Sequence, residues 1–213
     1  MTQHNFLKDL ADDVTVITVP GLGNSGPDHW QTVWERTRRD CQRVELGLWD
    51  APHRTQWVTK LDLAIRKASY PVVLAAHSLG CLAVAWWAKY ERPAYADPVI
   101  GALLVAPPEV DTGTVDQRLL AFAPMPQISL PFPSILVASR NDPYVSQDRA
   151  RRMAGFWGSD LVDAGDTGHI NAESALGEWR FGQRLIDRLK WGKAAQMFTT
   201  RFAGEERPPI CHA

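Results

Sequence analysis

The stretch Pro71 to Tyr90, PVVLAAHSLGCLAVAWWAKY, constrains this chain more than any other. Val72-Val73-Leu74-Ala75-Ala76 is a short continuous apolar run, the pattern of a strand buried on both faces, as in a parallel sheet. An Ala-, Leu- and Trp-rich segment follows at once and reads as a helix reaching Tyr90. Between them, Ala76-His77-Ser78-Leu79-Gly80 leaves room only for a tight turn, with small residues two places to either side of the serine. Such a strand-to-helix turn lifts a serine hydroxyl clear of the strand's carboxyl end, as in a nucleophile elbow. Gly80 meets the usual requirement, and Ala76, where glycine is usual, is the next smallest residue. Amides at the start of the helix then face the serine and suit a developing oxyanion, Leu79 first among them. The same residues also fit a plain βα unit in which Ser78 only caps the helix.

The remaining chain alternates in the same manner. Val14 to Val19, β-branched throughout, reads as a first central strand. It runs into PGLGNSGP, after which Asp28 is expected to cap an amphipathic helix from His29 to about Arg39. Arg43 to Leu46 is expected as a short strand, and Thr55 to Ala68 as a helix with Trp57, Val58, Leu61, Ala64 and Ile65 on one face. Val99 to Ala106 is another buried strand, halted by Pro107-Pro108. Residues 107–132 are broken by prolines, with a short helix expected near Val115-Leu120; the segment is too short for a cap domain. Strands at Ser134 to Ser139 and Asp160 to Asp163 flank a helix capped by Ser146. A final helix is expected from about Gly177 to Lys190. The alternation predicts a three-layer α/β/α sandwich with a mostly parallel central sheet, one domain over 1–190, and an appended, partly disordered tail over 191–213.

Composition narrows the partners. A formal net charge of −1 argues against a nucleic-acid or anionic-membrane surface. The first thirteen residues lack an apolar core and carry acids, so they do not read as a signal peptide, and no apolar run approaches a membrane span. Cys41, Cys81 and Cys211 have no metal-ligand spacing, which fits free thiols in a reducing cytoplasm. Nothing indicates a metal, a cofactor or a protein partner.

Three loops that follow strands carry the chemistry. Serine needs a histidine base, and the base needs a carboxylate to orient it. Ser78, Asp142 and His169 occur in the order serine, acid, histidine, each just beyond a strand, at the sheet edge where sites of such folds lie. Taken alone, Asp142 before Pro143 is also a plain turn residue and His169 a plain loop histidine. In the first loop, Gly21, Gly23 and Gly26 match the spacing of a dinucleotide fingerprint, but Pro27 and Asp28-His29 follow where that motif needs its helix. The competing reading is that Gly21 and Gly23 free the Leu22 amide to join Leu79 in an oxyanion hole. Asn24, His29 and Trp30 are expected to shape the substrate pocket, with Trp49 and His53 near its rim. His77 is expected to point away from Ser78 and to be packed or hydrogen-bonded, and Cys81 to be a packing residue.

PGLGNSGPDHWQTVWE, AAHSLGCLAVAWWA, ASRNDPYVS and GDTGHINAES together resemble the small YdeN-type serine hydrolases, a group that includes retinoblastoma-binding protein nine. The resemblance covers roughly residues 14–190. It implies a compact, lidless α/β-hydrolase fold, with Ser78 as nucleophile, Asp142 as acid and His169 as base. The expected function is cleavage of a small ester, thioester or amide through an acyl-enzyme, without a cofactor. Two alternatives share these residues: an acyltransferase, and a non-catalytic protein-interaction module on the same scaffold, since members of the group are also discussed as interaction partners.

Overall fold

The computed structural model describes residues 14–69, 71–112 and 116–203. Six strands form one sheet: β1 (Thr15–Val19), β2 (Cys41–Arg43), β3 (Val72–His77), β4 (Val99–Val105), β5 (Ser134–Ala138) and β6 (Asp160–Asp163). Their order is β2-β1-β3-β4-β5-β6, and every neighbouring pair is parallel. The helices are α1 (Trp30–Thr37), α2 (Arg54–Lys67), α3 (Leu79–Glu91), α4 (Gln147–Trp157) and α5 (Arg180–Ala203).

Parallel strands need crossover helices, and those helices cover both faces, so β3, β4 and β5 are buried at every position. On one face Ile17, Val19, Leu74, Ala76, Leu104 and Leu136 pack with Trp57 and Leu61 of α2, Leu82 of α3 and Trp157 of α4. On the other, Val16, Val73, Ala75, Leu103, Val105, Ile135 and Val137 pack with Trp30 and Trp34 of α1 and with Ile186 and Leu189 of α5. The period of two along each strand sends alternate residues to opposite layers. Helix α3 has no polar stripe: Leu79 through Ala88 are all buried. A helix apolar all round belongs in the interior, which is why the Ala-rich stretch after Ser78 is so uniform.

The sheet is the expected three-layer sandwich, with local differences. The second strand is Cys41–Arg43, two residues earlier than expected. It is an edge strand of half-exposed polar residues, and the buried Val44 and Leu46 come just after its pairing with β1 ends. Helix α1 starts one residue later than expected, and its N-cap is His29, not Asp28: the His29 Nδ1 accepts from the Gln31 amide at 3.2 Å. The short helix within 107–132 is a 3₁₀ segment, Gln117–Phe122, while residues 113–115 lie outside the described ones. Helix α5 begins three residues later than expected and runs to Ala203, past Lys190. Residues 1–13 of the expected domain and the last ten residues of the expected tail (204–213) lie outside the described residues. No helix among the described residues is long and apolar enough to cross a membrane.

Candidate active site

Ser78 lies between β3 and α3 with φ 53° and ψ −127°, a conformation that costs a non-glycine residue on the order of 1–3 kcal/mol. Its side chain makes no capping bond to the helix, so Ser78 is not an ordinary N-cap. Its amide is tied to the Val105 carbonyl at 2.8 Å, which extends the β3–β4 ladder to the turn itself. The chain leaving β1 passes directly over the turn. A Cβ on Gly80 would overlap the Val19 carbonyl oxygen, and one on Gly21 would stand 2.8 Å from the Ser78 Cβ and 3.1 Å from the Leu79 nitrogen. These two glycines therefore let the β1 loop and the turn touch. Of the two amides expected to hold an oxyanion, those of Leu22 and Leu79, neither has a hydrogen-bond acceptor among the described residues.

The loop after β6 brings His169 to the serine. Its Nε2 lies 2.9 Å from the Ser78 Oγ, and its Nδ1 lies 3.0 Å from each carboxylate oxygen of Asp142. Asp142 follows β5 with its side chain fully buried, and its Oδ1 also accepts from the Tyr144 amide at 2.9 Å. A carboxylate can only accept, so Nδ1 carries the proton and Nε2 presents a lone pair to the serine hydroxyl. The loop itself is pinned by side chains. Asn141 Oδ1 accepts from the Gly168 amide at 2.7 Å, the Ser139 hydroxyl accepts from the Thr167 amide at 2.9 Å, and the Ser174 hydroxyl donates to the Thr167 carbonyl at 2.6 Å. Sequence reasoning missed these anchors; the only local sign of them is a polar residue in each loop.

Beside this trio lies a cavity of about 270 Å³, lined by Leu22, Asn24, Gly26, His29, His77 and Ser78 on one side and by Leu119, Tyr144, His169 and residues 171–173 on the other. Gly26 and Glu173 of this lining are exposed, so part of the cavity wall meets solvent. Two of the three expected pocket residues line it. Asn24 does so while its Oδ1 accepts from the Ser25 amide and from Arg43, which also binds the Ser25 carbonyl. His29 is 4% exposed; burial, then the Arg43 and His169 nearby, push its pKa down to about 3, so it is neutral. With its Nδ1 accepting, its proton sits on Nε2, a buried atom that has no partner. Trp30 is the exception. It is 1% exposed, packs edge-on against Trp34 at 4.6 Å and at a tilt against Trp179 at 5.0 Å, and donates from Nε1 to the Ile170 carbonyl. The helical period turns it into the core behind the site. Trp49 likewise packs edge-on against Trp57 at 5.7 Å, and His53 is the N-cap of α2; neither lines the cavity. Leu119 and Tyr144, which the sequence does not single out, supply apolar surface instead.

Larger cavities of about 470 and 320 Å³ open at the opposite edge of the sheet, among the first residues of its strands. Neither holds a serine beside a base. Cys41 lines the larger one, with burial pushing its thiol up to about 12, which leaves it protonated and unreactive. Cys81, one turn past Ser78, is wholly buried against the Val105 carbonyl, and burial raises its thiol as well. Among the described residues no three His, Cys, Asp or Glu side chains are grouped to hold a metal ion.

Comparison with known proteins agrees with the geometry. A family model described as "Serine hydrolase" matches residues 16–188. Among solved structures, a putative YdeN-like hydrolase from Pectobacterium atrosepticum is similar at 32% identity and a TM-score of 0.74, covering 88% of this chain and 96% of that one. The YdeN product of B. subtilis matches at 17% identity and a TM-score of 0.65, over 82% of this chain and 97% of that one. A monoacylglycerol lipase from Paleococcus ferrophilus shares the fold at 13% identity and a TM-score of 0.59, over 83% of this chain and 93% of that one. A search of curated proteins gave no significant match.

Proposed function

Because the chain belongs to the serine hydrolase family, we propose that it cleaves a small ester, thioester or amide through an acyl-enzyme carried on Ser78. One observation carries the reading: a single imidazole, His169, stands 2.9 Å from the Ser78 Oγ on one edge and 3.0 Å from Asp142 on the other. The chemistry follows from that arrangement. Ser78 Oγ attacks the carbonyl carbon as His169 Nε2 takes its proton, and the carbonyl oxygen becomes an oxyanion. The free amides of Leu22 and Leu79 receive that charge, a contribution whose loss typically costs about 10²–10³-fold in kcat. His169 then hands its proton to the leaving group, and the acyl group remains on Ser78. Water attacks next, with His169 as base again, and the acid departs. Asp142 keeps the proton on Nδ1 and stabilises the imidazolium at each stage. Of the pocket residues, Leu22, Asn24, His29, Leu119 and Tyr144 are the ones placed to touch an acyl or leaving group.

The strain held at Ser78 favours catalysis over a vestigial scaffold, since a pure interaction module gains nothing from it. The near-neutral net charge and the free thiols of Cys41 and Cys81 suit a cytoplasmic enzyme of small molecules, not of nucleic acid. The test is labelling with a fluorophosphonate and mass mapping of the adduct. We expect one adduct, on Ser78, lost in Ser78→Ala; labelling that persists in that variant, or that falls on Cys81, ends the proposal.

A further inference from the structure

His77, the residue before the nucleophile, makes a contact that the mechanism above does not use. Its Nε2 lies 2.9 Å from the main-chain carbonyl oxygen of His169. A carbonyl only accepts, so Nε2 must carry the imidazole proton. The side chain is 5% exposed, and its ring lies between those of His169, 4.9 Å away, and His29, 4.6 Å away. Burial and these two neighbours lower its pKa well below the usual histidine value, so the ring is a fixed neutral donor.

The two hydrogen bonds to His169 form a closed circuit. The base is gripped by its ring through Ser78 and by its backbone through His77, from two adjacent residues of one chain, and both contacts are 2.9 Å long. The next carbonyl, that of Ile170, is held in the same way by the buried Trp30 Nε1 at 3.0 Å. This is the tip of a loop whose backbone needs holding, because Gly168 and Ile170 both have positive φ, 63° and 51°. We propose that His77 is a positioning residue: its Nε2–H fixes the main chain of His169 relative to the elbow, so that the imidazole stands where Ser78 can use it. The inference rests on reading Ser78 and His169 as nucleophile and base.

The test compares His77→Gln, whose amide carries a donor to a similar reach, with His77→Asn, whose donor falls one methylene short; His77→Leu, which has no donor, is the second loss variant. Each is assayed on p-nitrophenyl butyrate, in the wild-type and in the His169→Ala background. We expect His77→Asn and His77→Leu to lose about 10- to 100-fold in kcat, with a smaller change in KM because His77 also lines the cavity. His77→Gln should recover most of that loss. In the His169→Ala background none of the three should lower the residual rate further, because His77 acts through His169. Wild-type kcat in His77→Asn or His77→Leu overturns the inference. So does a His77→Gln variant as poor as His77→Asn, or an equal loss when His169 is already gone. If His169→Ala is itself fully active, the reading beneath the inference fails; if His169→Ala is inactive and His77→Asn is not impaired, only the inference does.

Discussion

The serine and the histidine of this site are held by opposite means. Ser78 sits between a fully buried strand and a fully buried helix, and the β1 chain lies across its turn with no room for a methyl group at Gly80. His169 sits on a loop after an edge strand whose residues are half or fully exposed, and what fixes it is a set of hydrogen bonds from Asn141, Ser139, Ser174, Trp30 and His77. Packing is stiff because every neighbour resists displacement. A hydrogen-bonded loop is stiff only while each bond is kept. The nucleophile should therefore fail through stability, and the base through geometry.

The largest effects come from removing the reacting groups. Ser78→Ala, His169→Ala and Asp142→Asn should each lower kcat by on the order of 10⁴-fold. The His169→Ala/Asp142→Asn double variant should lose far less than the product of the single losses, because the three side chains act as a unit. Full activity in His169→Ala, measured with a short p-nitrophenyl ester, would place the base elsewhere. Activity should also fall on the acid side as His169 takes up a proton. Burial pushes the pKa of both His29 and His77 well below the usual histidine value, so neither should add a protonation step to the rate near pH 7.

The contrast itself is tested by one methyl group and one amide. Gly80→Ala drives a Cβ into the Val19 and Pro20 carbonyls, so the elbow must shift or open. It should cost about 3 kcal/mol or more of unfolding free energy in a urea titration. Asn141→Ala removes the acceptor of the Gly168 amide and one acceptor of the Ser139 hydroxyl, which keeps the Gly165 carbonyl as its other. It should cost about 1 kcal/mol or less of stability, yet lower kcat about tenfold or more. An Asn141→Ala enzyme that is unstable but, where folded, fully active would erase the distinction.

A smaller effect concerns His29. Its pKa falls from 6.5 to about 3 on folding, chiefly through burial, so between those values the unfolded chain binds a proton that the folded chain does not. Its contribution is thus fully present above about pH 6.5 and is lost progressively as the pH drops toward 3. At pH 5 the loss is about 2 kcal/mol. His29→Asn keeps an N-cap acceptor and should shrink the fall in stability between pH 7 and pH 5 by that amount; an unchanged fall would mean the ring is not buried neutral. The smallest effect is per methylene. With Leu22, Leu119 and Tyr144 as the apolar surface of a cavity of about 270 Å³, kcat/KM for p-nitrophenyl esters should peak at about two to six acyl carbons. Each useful methylene contributes roughly 0.8 kcal/mol at most, and a steady rise through twelve carbons would reveal a concealed lipid pocket.

What was legible in the sequence follows the same division. The elbow is local, so Val72–Ala76, Ser78 and Gly80 announce it within one stretch, and the strand ends place Asp142 and His169 at the same edge. The polar edge strand Cys41–Arg43 was misplaced because its strongest apolar neighbours, Val44 and Leu46, are buried without belonging to it. Trp30 was read into the pocket from its place beside the glycine loop, but its partner Trp179 lies far along the chain and draws it inward. Local pattern carries nothing about such a contact. His77 was read as packed or hydrogen-bonded, and it is both, yet its acceptor lies 92 residues away. No spacing rule reaches that far.

The exposed part of the cavity wall, at Gly26 and Glu173, has a kinetic meaning. Of the 3₁₀ segment, Leu119 lines the cavity. An acyl group on Ser78 would stand beside a wall that meets solvent, within reach of bulk water from the moment it forms. The partition between hydrolysis and transfer would then be set by abundance, which favours water over any dilute acceptor. An alcohol or amine could compete only if the walls bound it before the leaving group had gone.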